Sequence, residues 1–228
     1  MSRFISIRSV VAMGALAGAL WGGAGTPAAV GGVAISGSTT TITGTGQATH
    51  ELEFARGVYA VTWSTPGTVM SVSVSDAADD VVTVFGLGGP KGSELFAVDG
   101  ETVKPGKLKM EAGSMEAWTV TIVKLGTAGA GALPQTLSGA VLESAISKAF
   151  KAGAGPLKVA YAYKSEPKGT GTLRICDVAT GKNMPVDHVM FAGNASGEFE
   201  VNVPAAGVYV ACATFPLGSN GGEVSLKQ

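Results

Sequence analysis

Hydrophobic and polar residues alternate along most of the chain after residue 38, and this alternation predicts β-strands. Every second side chain is apolar in Tyr59–Trp63, and the same period of two recurs in Met70–Val74. Strands with one apolar and one polar face are typical of antiparallel sheets that pack into a sandwich. Glycine-rich turn sequences separate the runs. Further runs of this kind are Leu108–Met110, Trp118–Ile122, Leu157–Tyr163 and Phe199–Val203.

Two parts of the chain begin alike. Thr41–Gly44 is echoed by Thr136–Gly139, and Phe54–Gly57 is echoed by Phe150–Gly153, about 95 residues later in each case. A repeat of this length is too long for a solenoid and indicates a duplicated domain. Chance similarity between two β-rich segments is the alternative. We therefore predict an all-β protein with two tandem antiparallel β-sandwich domains of jelly-roll or Greek-key type.

The pattern also predicts where these domains begin and end. The predicted organisation is a signal peptide at 1–28, an N-terminal arm at 29–38, a first sandwich at 39–125, a linker at 126–135 and a second sandwich at 136–228.

The segment Val141–Lys151 departs from the strand pattern. Leu142, Ile146 and Phe150 follow one another at intervals of four, which is the spacing of an apolar stripe on a helix. The repeat between the two halves requires an extended segment at the same place. The sequence leaves helix and strand open here.

The N-terminus has the organisation of a secretory signal. Arg3 and Arg8 precede an uncharged apolar segment, Val10–Ala24, and small residues follow up to a predicted cleavage after Ala28. The alternative is a membrane anchor retained at residues 10–29. Its many glycines disfavour an anchor helix, so we predict a secreted or cell-envelope protein.

The two cysteines, Cys176 and Cys212, are predicted to form a disulfide. An even number of cysteines in an exported protein favours pairing. If Ile175 and Tyr209 face the core, both cysteines project from the outer faces of their strands, where neighbouring strands can join them. Two buried free thiols are the alternative.

Charge and composition exclude several classes of protein. The chain has 16 Lys and Arg against 17 Asp and Glu, a net charge of −1, which gives no basic surface for nucleic acid. Hydrophobic residues make up 46% of the chain, which is incompatible with disorder.

The sequence contains no recognisable catalytic motif. The two histidines, His50 and His188, have no partners at metal-ligand spacing. Asp187 and His188 are adjacent, and we interpret them as the end of a turn. Neither a Gly-x-Ser-x-Gly elbow nor a phosphate-binding loop occurs. We therefore predict a protein that is not an enzyme and has no cofactor.

Asp76, Asp79 and Asp80 form the most suggestive acidic cluster. Clustered carboxylates at the end of a strand bind Ca²⁺ in many proteins, but this spacing does not match an EF-hand loop. These three residues are the candidate metal ligands, and a solvated turn is the interpretation that we favour.

The aromatic residues are few. Trp63, Trp118, Tyr161 and Tyr163 all lie in phase with the apolar faces of their strands. We therefore predict that they pack in the core and do not form an exposed platform for stacking sugars.

The second half resembles the pre-peptidase C-terminal domain family of small secreted bacterial β-sandwiches. The residues that carry the resemblance are Leu157–Tyr163, Gly171–Asp177 and Pro204–Val210, and Gly113–Val120 is similar in the first half. The resemblance implies a non-catalytic accessory module and supplies no catalytic residues.

These observations predict a non-catalytic, secreted or cell-surface binding module whose partner is a glycan or a protein. The alternative is a structural subunit that assembles with copies of itself, with residues 30–46 as an arm that adds a strand to a neighbour's sheet. A hydrolase would need a polar constellation that the sequence does not reveal.

Overall fold

The computed structural model describes residues 32–87, 90–140, 144–164, 170–184, 191–192, 196–216 and 219–228. These residues form sixteen β-strands and no helix, so no helix among them is long and apolar enough to cross a bilayer. The strands are β1 (Gly32–Ser36), β2 (Thr39–Phe54), β3 (Gly57–Ser64), β4 (Ser71–Ser75), β5 (Val81–Leu87), β6 (Lys91–Val98), β7 (Gly106–Lys124), β8 (Gln135–Gly139), β9 (Ser144–Ile146), β10 (Phe150–Ala152), β11 (Gly155–Tyr163), β12 (Thr170–Asp177), β13 (Phe191–Ala192), β14 (Ser196–Val203), β15 (Gly207–Thr214) and β16 (Gly222–Lys227). The predicted signal peptide at 1–28, Leu142 and the Asp187–His188 pair lie outside the described residues.

Strands β1 to β7 form the first sandwich from one hydrogen-bonded sheet that folds over on itself. The strand order is β1-β2-β7-β3-β6, and β4 pairs with both β7 and β5. The first half of β2 pairs with the second half of β7 in the layer that contains β3 and β6. The other half of β7 pairs with β4 in the second layer. The register of β2 shifts between Thr45 and Gly46, where the strand passes from one layer to the other.

The core of the first sandwich lies between these layers and confirms the alternating pattern. Tyr59, Val61 and Trp63 are buried on β3, while Thr62 and Ser64 between and beyond them are exposed. Phe54 packs edge-on against Tyr59, with ring centroids 5.1 Å apart. Each large side chain buried in this way contributes roughly 1.5–3 kcal/mol to folding.

The second sandwich repeats the strand order of the first. Its sheets are β14-β11-β16-β8 and β10-β15-β12-β13, with β9 added on β15. In the first of these sheets, β14, β11, β16 and β8 correspond in order to β6, β3, the second half of β7 and the first half of β2. In the other sheet, β10 and β15 correspond to the second half of β2 and the first half of β7. Strand order therefore repeats where the sequence similarity predicts a repeat.

The helix predicted as one alternative for 141–151 is wrong for the described part of that segment. Residues 144–146 and 150–152 are strands that both pair with β15. Ile146 and Phe150 do not form one stripe, because they pack into different clusters. Phe150 lies in the core of the second sandwich, and Ile146 packs between the two sandwiches.

The described part of the N-terminal arm predicted at residues 29–38 is a strand and a turn. Residues 32–36 form β1, which pairs antiparallel with residues 39–43 of the same chain. Gly37 has a φ of 59° at the first central position of the two-residue turn, which suits a type II′ hairpin. The described part of the arm therefore belongs to the chain's own sheet.

The two sandwiches pack together through a third apolar cluster. Val58, Leu95 and Ala97 contribute from the first sandwich, and they meet the outer faces of β12 and β15. The guanidinium of Arg174 donates a hydrogen bond to the carbonyl oxygen of Leu95 at 2.8 Å. The second sandwich therefore covers part of the outer face formed by β3 and β6.

Candidate functional site

The uncovered part of that outer face is lined with hydroxyl groups. Strand pairing places Thr41 opposite Thr121, Thr121 opposite Thr62, and Thr62 opposite Ser93. A second row runs beside it: Thr43, Thr119, Ser64 and Lys91. We call these two rows across β2, β7, β3 and β6 the hydroxyl face.

The alternation of the strands produces the hydroxyl face. Ile42, Val61 and Val120 point into the core and are fully buried, so their neighbours in sequence must point outward. Neighbouring strands lie about 4.8 Å apart, and successive outward residues along one strand lie about 7 Å apart. Threonine is β-branched and stiff at χ1, which favours strands and holds each hydroxyl in a defined position.

The hydroxyl face forms the floor of a shallow, open groove. Two surface depressions of about 360 and 640 Å³ adjoin one another because Ser64 and Thr119 line both of them. Ser144 of the second sandwich borders one end, and Pro66 borders the other. We call this combined depression the hydroxyl groove.

Contacts between the sandwiches fix the end of the groove that Ser144 borders. The hydroxyl of Ser93 donates a hydrogen bond to the carbonyl oxygen of Ser144 at 2.7 Å. The Ser144 hydroxyl lies 3.0 Å from the Thr214 hydroxyl and 3.5 Å from a carboxylate oxygen of Glu94. The two sandwiches therefore contribute together to one rim.

The lining of the groove is polar and nearly free of charge. Among the described residues that line it, Lys91 alone carries a formal charge. A hydroxyl both donates and accepts hydrogen bonds. The groove therefore offers donors and acceptors at regular positions without a strong field of either sign.

Trp63 and Trp118 lie beneath the groove and confirm the prediction that they pack in the core. They are 8% and 2% exposed. The indole N–H of Trp118 donates a hydrogen bond to the carbonyl oxygen of Gly46 at 2.7 Å. Their rings lie against glycines on the neighbouring strands, where a Cβ at Gly92 or Gly44 would overlap the indole.

In the second sandwich, Tyr163 is buried and Tyr161 is half-buried, with ring centroids 5.4 Å apart. Both pack on the core of that sandwich, as predicted.

The disulfide predicted between Cys176 and Cys212 does not form in this structure, where both residues are buried free thiols. They lie on the outer faces of their strands, as predicted, but Cys176 is opposite Val210 and Cys212 is opposite Arg174. Diagonal neighbours on paired strands lie about 7–8 Å apart, whereas disulfide-linked Cα atoms lie roughly 4.4–6.8 Å apart. The first sandwich covers these outer faces, so the thiols are packing residues between the domains.

Each thiol has its own polar neighbour. The sulfur of Cys176 lies 3.1 Å from Oδ1 of Asn183, and the sulfur of Cys212 lies 3.4 Å from Oε1 of Glu94. Burial raises the pKa of Cys176 to about 11. Burial, reinforced by the nearby Glu94 carboxylate, raises the pKa of Cys212 well above its ordinary value. Both residues are therefore protonated near neutral pH and are poor nucleophiles.

The acids proposed as calcium ligands lie in the turn between β4 and β5. Asp76 accepts hydrogen bonds from the backbone N–H groups of Ala78 and Asp80 at 2.8 and 3.1 Å. Asp79 pairs with Lys109 at 2.5 Å. No group of three or more histidine, cysteine or acidic side chains converges to hold a metal ion among the described residues.

His50 lies half-buried on β2, opposite Met110 in the strand pairing and away from the groove. The described residues therefore place this histidine outside the candidate site.

Sequence reasoning missed the hydroxyl groove, although a signal was present. Thr39, Thr41, Thr43 and Thr45 alternate along one strand, and Thr119 and Thr121 alternate along another. Alternation identifies the apolar positions that build the core. The outward positions also contained a pattern, since they repeat one chemical group in place of mixed polar side chains.

Comparisons with known proteins give no family. No family model matches the chain, and no curated protein matches it. A solved structure of the plant peptide RALF23 in complex with FER and LLG2 is similar over 88% of each chain, with 8% identity and a TM-score of 0.28. The tandem CBM22-1–CBM22-2 domain of Xyn10C from Paenibacillus barcinonensis is similar over 87% of this chain and 92% of that one, with 13% identity and a TM-score of 0.24.

Tandem CBM51 modules of Sp3GH98 from Streptococcus pneumoniae are similar over 82% of this chain and 84% of that one, with 6% identity and a TM-score of 0.27. At these TM-scores the similarities carry no argument about function. The resemblance to pre-peptidase C-terminal domains stays a prediction.

Proposed function

We propose that the protein is a non-catalytic binding module of the cell surface or extracellular space, and that its hydroxyl groove binds an uncharged, hydroxyl-rich polymer such as a neutral polysaccharide. The observation that carries this proposal is the pair of threonine and serine rows across four adjacent strands, bordered by Ser144 of the second sandwich.

The chemistry of the lining supports a neutral ligand. Sugar hydroxyls are donors and acceptors, and so are the hydroxyls of Thr62, Thr119 and Thr121. An anionic polymer would be held by a cluster of arginines or lysines, whereas Lys91 is the charged residue of this lining. An open groove across four strands suits a chain-like ligand better than a compact one.

Threonine methyl groups contribute as well. Each outward threonine presents a methyl group beside its hydroxyl, so the face alternates small apolar and polar spots. The carbon-bound hydrogens of a sugar ring form apolar patches of similar size.

The test is binding of soluble neutral polysaccharides to the full chain, measured by affinity electrophoresis and calorimetry. The variant Thr62→Val with Thr121→Val keeps side-chain shape and removes two hydroxyls from the part of the groove that Ser144 borders. A neutral hydrogen bond contributes about 0.5–1.5 kcal/mol, so we expect affinity to fall about tenfold or more.

Thr49→Val is the matched control, because Thr49 is exposed on β2 but lies outside the groove lining. We expect this variant to bind like the wild type. Equal binding by all three proteins would contradict the proposed site. Binding to anionic polysaccharides alone would contradict the proposed ligand class.

A further inference from the structure

Strand β1 is an open edge of the first sandwich. One side of β1 pairs with β2, and no described strand pairs with its other side. At the other end of the same layer, the outer face of β6 contacts the second sandwich, for example where Ser93 meets Ser144. Among the described residues, the edge at β1 is therefore the free end of the layer that carries the hydroxyl face.

This edge lacks the features that usually prevent strand addition. Proteins protect such edges with charged residues, prolines or bulges. The stretch from Gly32 to His50 contains no proline, lysine, arginine or acid. The edge strand β14 of the second sandwich differs, because it carries exposed Glu198 and Glu200.

Two apolar side chains are exposed on this edge. Val33 is 44% exposed and Ile35 is 74% exposed. Both lie on the face of the sheet that turns toward the core, beside Ile42 and Thr40 in the pairing. An added strand would extend the apolar surface that these residues begin.

The hydrogen-bonding phase of β1 sets the register in which a second β1 strand can pair with it. In a two-residue hairpin the residues that flank the turn, here Ser36 and Thr39, form a hydrogen-bonded pair, and the pairs alternate from there. The N–H and C=O groups of Ala34 therefore point toward β2. Those of Val33 and Ile35 point outward, to the open side.

We propose that two copies of this chain associate through β1, antiparallel about a twofold axis at Ala34. This register places Val33 of one copy opposite Ile35 of the other, and the outward N–H and C=O groups of these residues exchange hydrogen bonds in two equivalent pairs. The same register pairs valine with isoleucine across the strands.

The twofold axis is perpendicular to the sheet, so both hydroxyl faces lie on the same side of one continuous layer, in which the five strands β1-β2-β7-β3-β6 of each copy make ten. The association closes on itself, because each copy uses its one β1 edge and becomes a dimer, not a filament. Five residues a side make a small interface, so the dimer is weak and depends on concentration.

Disulfide trapping tests the register directly on the full chain produced by an exporting host. Ala34→Cys places a thiol opposite its own copy at the twofold axis, in a non-hydrogen-bonded pair whose spacing suits a disulfide. Ser36→Cys is the matched control, because Ser36 is exposed on the same face but lies opposite Gly32 of the other copy.

We expect the Ala34→Cys protein to form covalent dimers at least about tenfold faster than the Ser36→Cys protein under a mild oxidant, since only the first brings two sulfurs within bonding distance. Equal rates would overturn the register. An Ala34→Cys protein that remains monomeric at high concentration, or that crosslinks only to a different protein, would overturn the proposed partner.

The substitution Ile35→Pro tests the contact between copies by a change that is not expected to disturb the fold of either copy. Proline removes the outward N–H of residue 35 and leaves the bonds between β1 and β2 in place. Added to Ala34→Cys, it is expected to reduce crosslinking about tenfold with an unchanged melting temperature. Unchanged crosslinking in this variant would show that the strand edge is not the contact.

Discussion

Glycines at two positions in the first sandwich make room for tryptophan rings from the neighbouring strand. Gly44 pairs with Trp118, and Gly92 pairs with Trp63. A Cβ built on Gly44 would lie 2.5 Å from Cζ2 of the Trp118 ring, and one built on Gly92 would lie 2.2 Å from Cζ2 of Trp63. These glycines allow a buried ring to support the floor of the groove from below.

Gly44→Ala is therefore expected to destabilise the protein. The added methyl group cannot fit beside the fixed indole of Trp118, and overpacking of this kind costs about 1–3 kcal/mol. Chemical denaturation monitored by tryptophan fluorescence measures the loss. Gly113→Ala is the control, because its Cβ would find its nearest neighbour at an ordinary 3.5 Å. Equal stability of the two variants would contradict this packing.

The cysteines show what residue patterns can and cannot predict. Alternation correctly placed Cys176 and Cys212 on the outer faces of their strands, whose other faces carry the core residues Ile175 and Ala211. The prediction of a disulfide was wrong because it depends on the register between the strands that carry the two cysteines, which are 36 residues apart in sequence. Alternation also cannot reveal that a second domain covers an outer face.

The turn between β6 and β7 is held by one side chain. The carboxylate of Asp99 accepts hydrogen bonds from the backbone N–H groups of Glu101, Thr102 and Val103 at 2.8–3.0 Å. Partial burial would raise its pKa, but these three bonds outweigh burial and hold the pKa of Asp99 below its ordinary value. The charged form is therefore favoured in the folded protein.

A lowered pKa in the folded state means that Asp99 stabilises the protein above the pKa of the unfolded chain, near 3.9. This contribution is lost as the pH falls through the lower folded pKa. We expect Asp99→Ala to be less stable by about 1 kcal/mol at pH 7, because the variant loses these hydrogen bonds. The difference from the wild type should shrink below about pH 4.

Thermal melting of both proteins across that range measures the effect, with Asp80→Ala as an exposed control. A difference that stays constant with pH would contradict the role of the carboxylate.

At the scale of elements, alternation predicted the strands well because core and solvent lie on opposite faces of each one. It could not decide between helix and strand at Val141–Lys151, because Ile146 and Phe150 pack into two separate cores and share no single apolar face. The bend of β2 near Gly46 also escaped prediction, since a strand that crosses between layers keeps its alternation except at the register shift.

At the scale of the whole molecule, the groove results from the way in which the two sandwiches meet. The second sandwich covers Val58, Leu95 and Ala97 and leaves the threonine and serine positions of the same layer open. A single sandwich would expose this entire face. This division could not be predicted from the pattern of residues, because the apolar and hydroxyl outer positions follow one another along the same strands.

Threonine-methyl NMR tests whether the hydroxyl groove is the surface that binds the ligand. The full chain, labelled at threonine methyl groups, is titrated with a soluble neutral oligosaccharide. We predict that the signals of Thr43, Thr62, Thr119 and Thr121 shift together, while that of Thr49 stays in place. Shifts at threonines outside the groove, or no shifts with any neutral oligosaccharide, would contradict the account.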